Sequence, residues 1–360
     1  MVRLLVITNG VGEDSIGAGI VRRLPAGFQT AAYPTLGDGS AYANICPVVG
    51  PRAHLASQGS RVGGGSISRD LRGGLLGSIP PALRFLKLAR ADYDEVLVIG
   101  DFVGVAACWL AAIRGITYVD VYRSGYGSRY SMIEKWVIAR TARRVFARHP
   151  DLAAALAAAG VEARAVGNVM MDTVPSGDYL ADQRRLRLKA VALLPDVFVL
   201  LADGIEPAQL AEATGLFLHE PVGREAGDLG RLSGRGLRIN MVRGALAEVL
   251  AESDLVLSQA GTASIQAMGL GRPVLTMLDG TERPKRVADE SRFFGDARET
   301  VPADPAVLAA AMTRLLDDRR ELARRGAIGA ERVGPPGAIR EIVASLAPAA
   351  EAPVSVAATS

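Results

Sequence analysis

Short apolar runs recur along the first half of the chain, at 3–8 (RLLVIT), 95–100 (EVLVIG), 117–122 (TYVDVY), 143–148 (RRVFAR) and 163–167 (ARAVG). The clearest of them are apolar nearly throughout rather than alternating, which predicts strands covered on both faces. Helix-like stretches separate them at 15–24, 79–91, 103–114, 131–140 and 150–159. Alternation of this kind predicts a parallel, doubly wound α/β sheet. The stretch 33–77 is rich in loop residues, including TLGDGSAY and RVGGGSISRDLRGG, and reads as binding loops.

The second half repeats the style. Strands are predicted at 197–202 (VFVLLA), 217–221 (FLHEP), 237–240 (LRIN), 255–258 (LVLS) and 273–278 (PVLTML). Helices are predicted at 206–214, 244–252, from Thr262 onward, and at 282–294, 304–316, 319–326 and 337–346. Residues between 221 and 236 read as a Gly/Arg-rich loop, and 173–190 as a linker. The expectation is two Rossmann-like, doubly wound parallel-sheet domains facing a cleft. The first spans 1–170 on the acceptor side, and the second spans 171–346 and binds a nucleotide sugar. The last helix has the option of crossing back to the first domain. Residues 347–360 lack bulky apolar side chains and are expected to be disordered.

Composition narrows the function classes. The 360 residues suit two domains, and the 49% hydrophobic content with only 5% aromatics makes the core aliphatic. The 41 basic and 38 acidic residues nearly cancel, and no concentrated basic stripe argues for nucleic acid. Arg61, Arg69 and Arg72, and separately Arg123 and Arg129, form local clusters that suit a phosphate, an anionic surface or plain solvent. Two cysteines and three scattered histidines have no metal-ligand spacing, so no metal is expected. The longest apolar run, 12 residues from Phe102, is short of the roughly 20 that span a bilayer. With a strand opening the chain and no signal-like segment before it, a cytoplasmic protein is expected, with contact at the inner membrane face left open.

Three constellations carry candidate chemistry. The first is AGTASIQAMGLGRP at 260–273, after a predicted strand. Gly261 lets a ligand approach the backbone. Thr262 and Ser264 offer hydroxyls at a helix N-terminus, whose partial positive charge suits a diphosphate. Gln266 lies one turn on, where an amide suits a ribose hydroxyl; plain N-capping by Thr262 is the alternative. The second is NGVGED at 9–14, a Gly-rich turn at a strand's C-terminal edge that falls short of a dinucleotide fingerprint. There Glu13 and Asp14 are either helix N-terminal charges or acceptor-site acids. The third is Asp101, which ends strand 95–100 and reads as a general base or as a helix N-cap.

These stretches, with GDGSAY, GSISRDLRGGLL, GNVMMD (167–172) and ERVGPPGA (331–338), resemble the lipid-A-disaccharide synthase-related proteins of the two-Rossmann (GT-B) glycosyltransferases. The resemblance covers most of the chain outside about 173–250. It implies donor contacts at Gly261, Thr262, Ala263, Ser264 and Gln266, acceptor-side roles for Asn9, Gly10, Gly12 and Glu13, and a base-like role for Asp101, with Glu13 as the second catalytic carboxylate. It also implies a nucleotide-sugar donor, UDP-linked and hexosamine-type, a glycan or lipid acceptor, and no cofactor beyond the substrate. Lipid-A-disaccharide synthase itself has a Glu where this chain has Gln266. The family's Gly-Ser-Arg strand and turn is missing after Asp172, which predicts a weaker grip on the donor phosphates. A non-catalytic nucleotide-sugar binder and a sugar-nucleotide epimerase are the alternatives on the same fold.

Overall fold

The computed structural model describes residues 1–36, 38–52, 75–184, 197–201, 204–221, 227–259 and 261–346. The expectations for Arg61, Arg69 and Arg72, for Ala260, for part of the linker and for the 347–360 tail fall outside these residues. The chain divides into two compact units, one of Met1–Thr173, Leu278–Gly295 and Val333–Ser360, the other of Val174–Met277 and Asp296–Arg332. Of the stretch 171–346 expected as the second domain, residues 171–173, 278–295 and 333–346 are grouped with the first unit.

The first unit is built on β1 (Val2–Thr8), α1 (Val11–Val21), β2 (Phe28–Pro34), α2 (Leu75–Ala89), β3 (Glu95–Gly100), α3 (Phe102–Leu110), β4 (Ile116–Asp120), α4 (Met132–Thr141), β5 (Ala142–Ala147), α5 (Pro150–Ala157) and β6 (Glu162–Ala165). Its six strands lie in the order β2-β1-β3-β4-β5-β6, and every pairing between them is parallel. Because alternate residues of a strand face opposite sides, the apolar runs feed two cores. Leu5, Ile7, Val98 and Tyr118 pack with Leu86, Val105, Cys108 and Ile138 on one face. Leu4, Val6, Leu97, Ile99 and Phe146 pack with Ile16 and Ile20 on the other. Strand β2 (FQTAAYP) was not expected; its small side chains hide it, yet it pairs along all of β1 from Val2↔Phe28 to Thr8↔Pro34.

The second unit holds β7 (Val197–Leu200), α6 (Pro207–Thr214), β8 (Phe217–His219), β9 (Asp228–Gly234), β10 (Leu237–Val242), α7 (Leu246–Glu252), β11 (Val256–Leu257), α8 (Gly261–Gly269) and β12 (Val274–Leu278). Its described strands form two sheets, β7-β10-β9-β8 and β11-β12-β13, the last being Arg298–Pro302. The parallel style holds for β7/β10 and β11/β12, while β8, β9 and β10 run antiparallel. The Gly/Arg-rich stretch expected as loop is thus partly strand β9. Its hairpin to β10 turns at Arg235 (φ 50°) and Gly236 (φ 75°), the paired positive φ of a tight hairpin turn. Arg in a place usually held by Asn or Asp concealed that turn. Strand β7, expected to be buried on both faces, is half-buried, with Leu200 exposed, and ends its sheet among the described residues.

After β12 the chain returns to the first unit as α9 (Pro284–Phe294), leaves it for β13, α10 (Pro305–Asp317) and α11 (Arg319–Val333), and returns again as α12 (Ala338–Leu346). Ile339 and Ile342 of α12 are buried beside Leu4, Val6 and Ile16. Asp172 fixes the start of this helix, accepting from the Gly337 N–H (2.7 Å) and the Ile339 N–H (3.0 Å).

Candidate functional site

In the first unit the strand order changes direction between β1 and β3, the place where open parallel sheets bind ligands at their C-terminal edge. Asn9 follows β1 there and Asp101 follows β3. The Asn9 amide donates from Nδ2 to Asp101 Oδ1 (2.7 Å), and the same oxygen accepts the Val103 N–H (2.9 Å). Asp101 is therefore the N-cap of α3 as well as a partner of Asn9. The other amide atom, Asn9 Oδ1, is buried without a hydrogen-bond partner. Gly100 makes room for it: its φ is 141°, and a Cβ there would lie 1.9 Å from Asn9 Oδ1.

Helix α1 begins at Val11, four residues earlier than the sequence suggested, so Gly12, Glu13 and Asp14 all lie in its first turn. Gly10 precedes it with an extended backbone, and the Glu13 carboxylate folds back over Gly10, its Oε2 2.4 Å from where a Cβ would stand. Burial pushes the Glu13 carboxyl above its ordinary range, its own backbone N–H partly offsets this, and the nearby Asp101 charge adds to the rise. Asp14 is more deeply buried and accepts a hydrogen bond from the Thr8 hydroxyl. Burial raises it to about 6, against the pull of that Thr8 bond. Tyr42 reaches the same Thr8 oxygen (3.4 Å) because Gly17 leaves space; a Cβ on Gly17 would meet the phenol oxygen at 2.0 Å.

Beside this edge lies a second polar cluster that the sequence did not single out, apart from Arg123. Asp120 ends β4, fully enclosed, and accepts from the Tyr122 N–H (3.0 Å), the Arg123 N–H (3.1 Å) and the Tyr130 hydroxyl. Burial drives its carboxyl upward. Arg123 is not free for a ligand: it forms an ion pair with Glu134 and its guanidinium sits over the Tyr130 ring. Arg148, next after β5, donates to Asn168 Oδ1 (3.1 Å) and lies over Phe293 of α9, and burial pulls it down to about 10. A single charged residue ending an apolar strand, as at Asp120 and Arg148, was the available signal.

In the second unit, Gly261 and Thr262 open α8 and are exposed, and Ala263 is partly covered. Ser264 and Gln266 are buried, at 4% and 3% exposure, and the Ser264 hydroxyl donates to Ser258 Oγ (2.9 Å). The five residues thus lie on one helix, the first two facing solvent and Ser264 and Gln266 turned inward. The end of α8 is clamped by α11: a Cβ on Gly326 would stand 2.2 Å from the Gly271 carbonyl oxygen, and one on Gly329 would stand 2.8 Å from that of Met268. Among the described residues no group of three or more His, Cys, Asp or Glu is arranged to hold a metal ion.

No protein-family model and no curated protein matches the chain. Solved structures do match it in fold. The putative UDP-N-acetylglucosamine 2-epimerase of Listeria monocytogenes superposes with a TM-score of 0.57 at 15% identity, over 96% of this chain and 95% of that one. S. aureus MnaA, solved with UDP, gives 0.56 at 16% identity over 95% of both chains. Acinetobacter baumannii MurG gives 0.51 at 16% identity over 95% of this chain and 98% of its own. The fold is the two-Rossmann, GT-B type.

Proposed function

We propose that the protein is a metal-independent hexosyltransferase related to the lipid-A-disaccharide synthase-related group. In this reading it moves a hexosamine-type sugar from a UDP-linked donor to a hydroxyl of a glycan or lipid acceptor. The observation that carries the reading is the Glu13 carboxylate, held at the switch-point edge beside Asp101 with its proton affinity raised by burial. A general base works best when its pKa lies close to the working pH, and the rise moves Glu13 in that direction.

Asp101 has a different task from the one its position first suggests. Its Oδ1 is occupied by Asn9 and by the start of α3, so it anchors Asn9 and sustains the proton affinity of Glu13. Glu13 then takes the proton as the acceptor oxygen bonds to the anomeric carbon and the bond from that carbon to the diphosphate breaks. The second unit offers its own anion site at the N-terminus of α8, where the first backbone N–H groups, at Gly261, Thr262 and Ala263, have no partner within the helix and suit the phosphates of a nucleotide. Ser264 and Gln266 support that turn from within.

The test is incubation of the purified chain with radiolabelled UDP-N-acetylglucosamine, with and without a lipid or glycan extract. Acceptor-dependent label in product, lost in Glu13→Gln, supports transfer. A new sugar nucleotide formed from donor alone would instead favour the epimerase, and tight binding with no turnover the non-catalytic binder. Failure to bind any nucleotide sugar would overturn the reading.

A further inference from the structure

The outer face of the helical layer formed by α2, α3 and α4 is unlike an ordinary solvated surface. Helix α3 (FVGVAACWL) carries no charged residue at all, yet Val103 and Leu110, seven positions apart and so on one side, are each 53% exposed. On α4, Met132, Ile133 and Trp136 are 83%, 74% and 46% exposed, and Arg140 completes the same stripe. The two helices are joined across their seam by an edge-on contact of Trp109 with Trp136, 5.7 Å between ring centres. Arg140 lies over Trp136 at 4.1 Å. Monomeric proteins seldom leave this much apolar side chain together in water without a use for it.

Within the three helices basic residues outnumber acidic ones. Across the three helices the basic residues are Arg84, Lys87, Lys135 and Arg140, and the sole acidic residue is Glu134. Glu134 is consumed locally, paired with Arg123 and closing the capping box of α4 through Ser131. Among the flanking residues Arg90, Arg114 and Arg129 are exposed, against Asp92. Helix α11 in the other unit shows the contrasting, ordinary case, where Glu321 pairs with both Arg324 and Arg325.

We infer that this face docks the protein on an anionic lipid surface, with Met132, Ile133, Trp136, Leu110 and Val103 entering the headgroup–acyl boundary and the basic side chains meeting lipid phosphates. Trp and Arg together at the edge of an apolar stripe suit that boundary, where one end of a side chain is dry and the other wet. Charge complementarity selects this occupant over a second copy of the chain, because a self-paired face would set the Arg and Lys of these helices against each other, with their one carboxylate, Glu134, already paired. Among the described residues no helix is long and apolar enough to cross a membrane, so the contact is peripheral. The inference does not depend on the proposed sugar chemistry, and its test needs no nucleotide.

The experiment is sedimentation of the full chain with vesicles of phosphatidylcholine alone or with 30% phosphatidylglycerol. Binding is expected to be at least about tenfold tighter to the anionic vesicles and to weaken as salt rises, as the near-surface energy of several basic residues implies. Ile133→Ser with Trp136→Ser should reduce binding about tenfold, as should Lys135→Gln with Arg140→Gln, with circular dichroism unchanged. Should one pair unfold the chain, Met132→Ser with Leu110→Ser, both more exposed than Trp136, is the replacement. Equal binding to both vesicle types, or none, overturns the inference. So does a concentration-dependent dimer in sedimentation equilibrium that Ile133→Ser dissociates.

Discussion

Asp14→Asn tests the polar wiring under the candidate base. Asp14 is 3% exposed and is held protonated up to about pH 6 by burial, against an ordinary value of 3.8. A carboxyl raised on folding stabilises the fold below its unfolded value, and this contribution is lost as pH climbs through the folded value. The window here is therefore pH 4 to 6, and the amount lost across it is about 3 kcal/mol. Asparagine cannot ionise and escapes that loss. Below pH 4 the neutral carboxyl and the amide each offer an oxygen to the Thr8 hydroxyl, so the exchange there costs little. The variant should match wild type within about 1 kcal/mol at pH 4 and be about 2–3 kcal/mol more stable at pH 7. Urea unfolding of both proteins at matched pH, read as a difference, cancels the other titrating groups. A difference that stays constant from pH 4 to 8 would refute the reasoning, because Asp14 would then ionise as freely as in the unfolded chain.

Glu13→Gln should leave thermal unfolding nearly unchanged and lower sugar transfer by about a hundredfold or more, the ordinary contribution of a positioned base; turnover at the wild-type rate would remove Glu13 from the chemistry. Gly326→Ala should lower stability by about 1–3 kcal/mol, since its Cβ would stand 2.2 Å from the Gly271 carbonyl oxygen and α8 or α11 must shift; calorimetry showing a gain would mean that the helices separate readily. Gly261→Val should weaken UDP-sugar binding by about 1–3 kcal/mol in titration calorimetry without unfolding the second unit, because Gly261 is exposed. Gln266→Ala, at a buried position, should instead appear mainly as lost stability, and a pure binding defect would return the Gln266 amide to the ligand.

How far the sequence was legible follows from what each signal measures. Runs such as RLLVIT and EVLVIG announced buried parallel strands because their cores lie on both faces. Strand β2 escaped notice because Thr30, Ala31 and Ala32 carry little apolar bulk, and β9 because Gly and Arg occupy its turn. Asp101 stands out from its place at a strand end, Glu13 from the Gly-rich turn after β1 and Asn9 from the family resemblance, and the structure brings Asn9 onto Asp101. Thr8, Asp14 and Tyr42 work as a set only because residue 42 folds back over α1, a tertiary fact with no local trace. The inward turn of Gln266 was equally hidden, since helical spacing relates it to Thr262 and is silent on which side the protein covers.

The two returns of the chain to the first unit bear on how that unit is made. Strands β1 and β3 emerge early in synthesis, but Leu4, Val6 and Ile99 gain their cover from Ile339 and Ile342 only after more than two hundred further residues have followed. One face of the sheet is therefore only partly covered, by α1, until residues 338–346 have been made, a condition that invites aggregation or a chaperone. Asp172, waiting at the end of the first pass to cap α12, serves as the latch for that late closure. A chain halted anywhere before residue 338 leaves the ribosome with the latch empty and that face covered by α1 without α12.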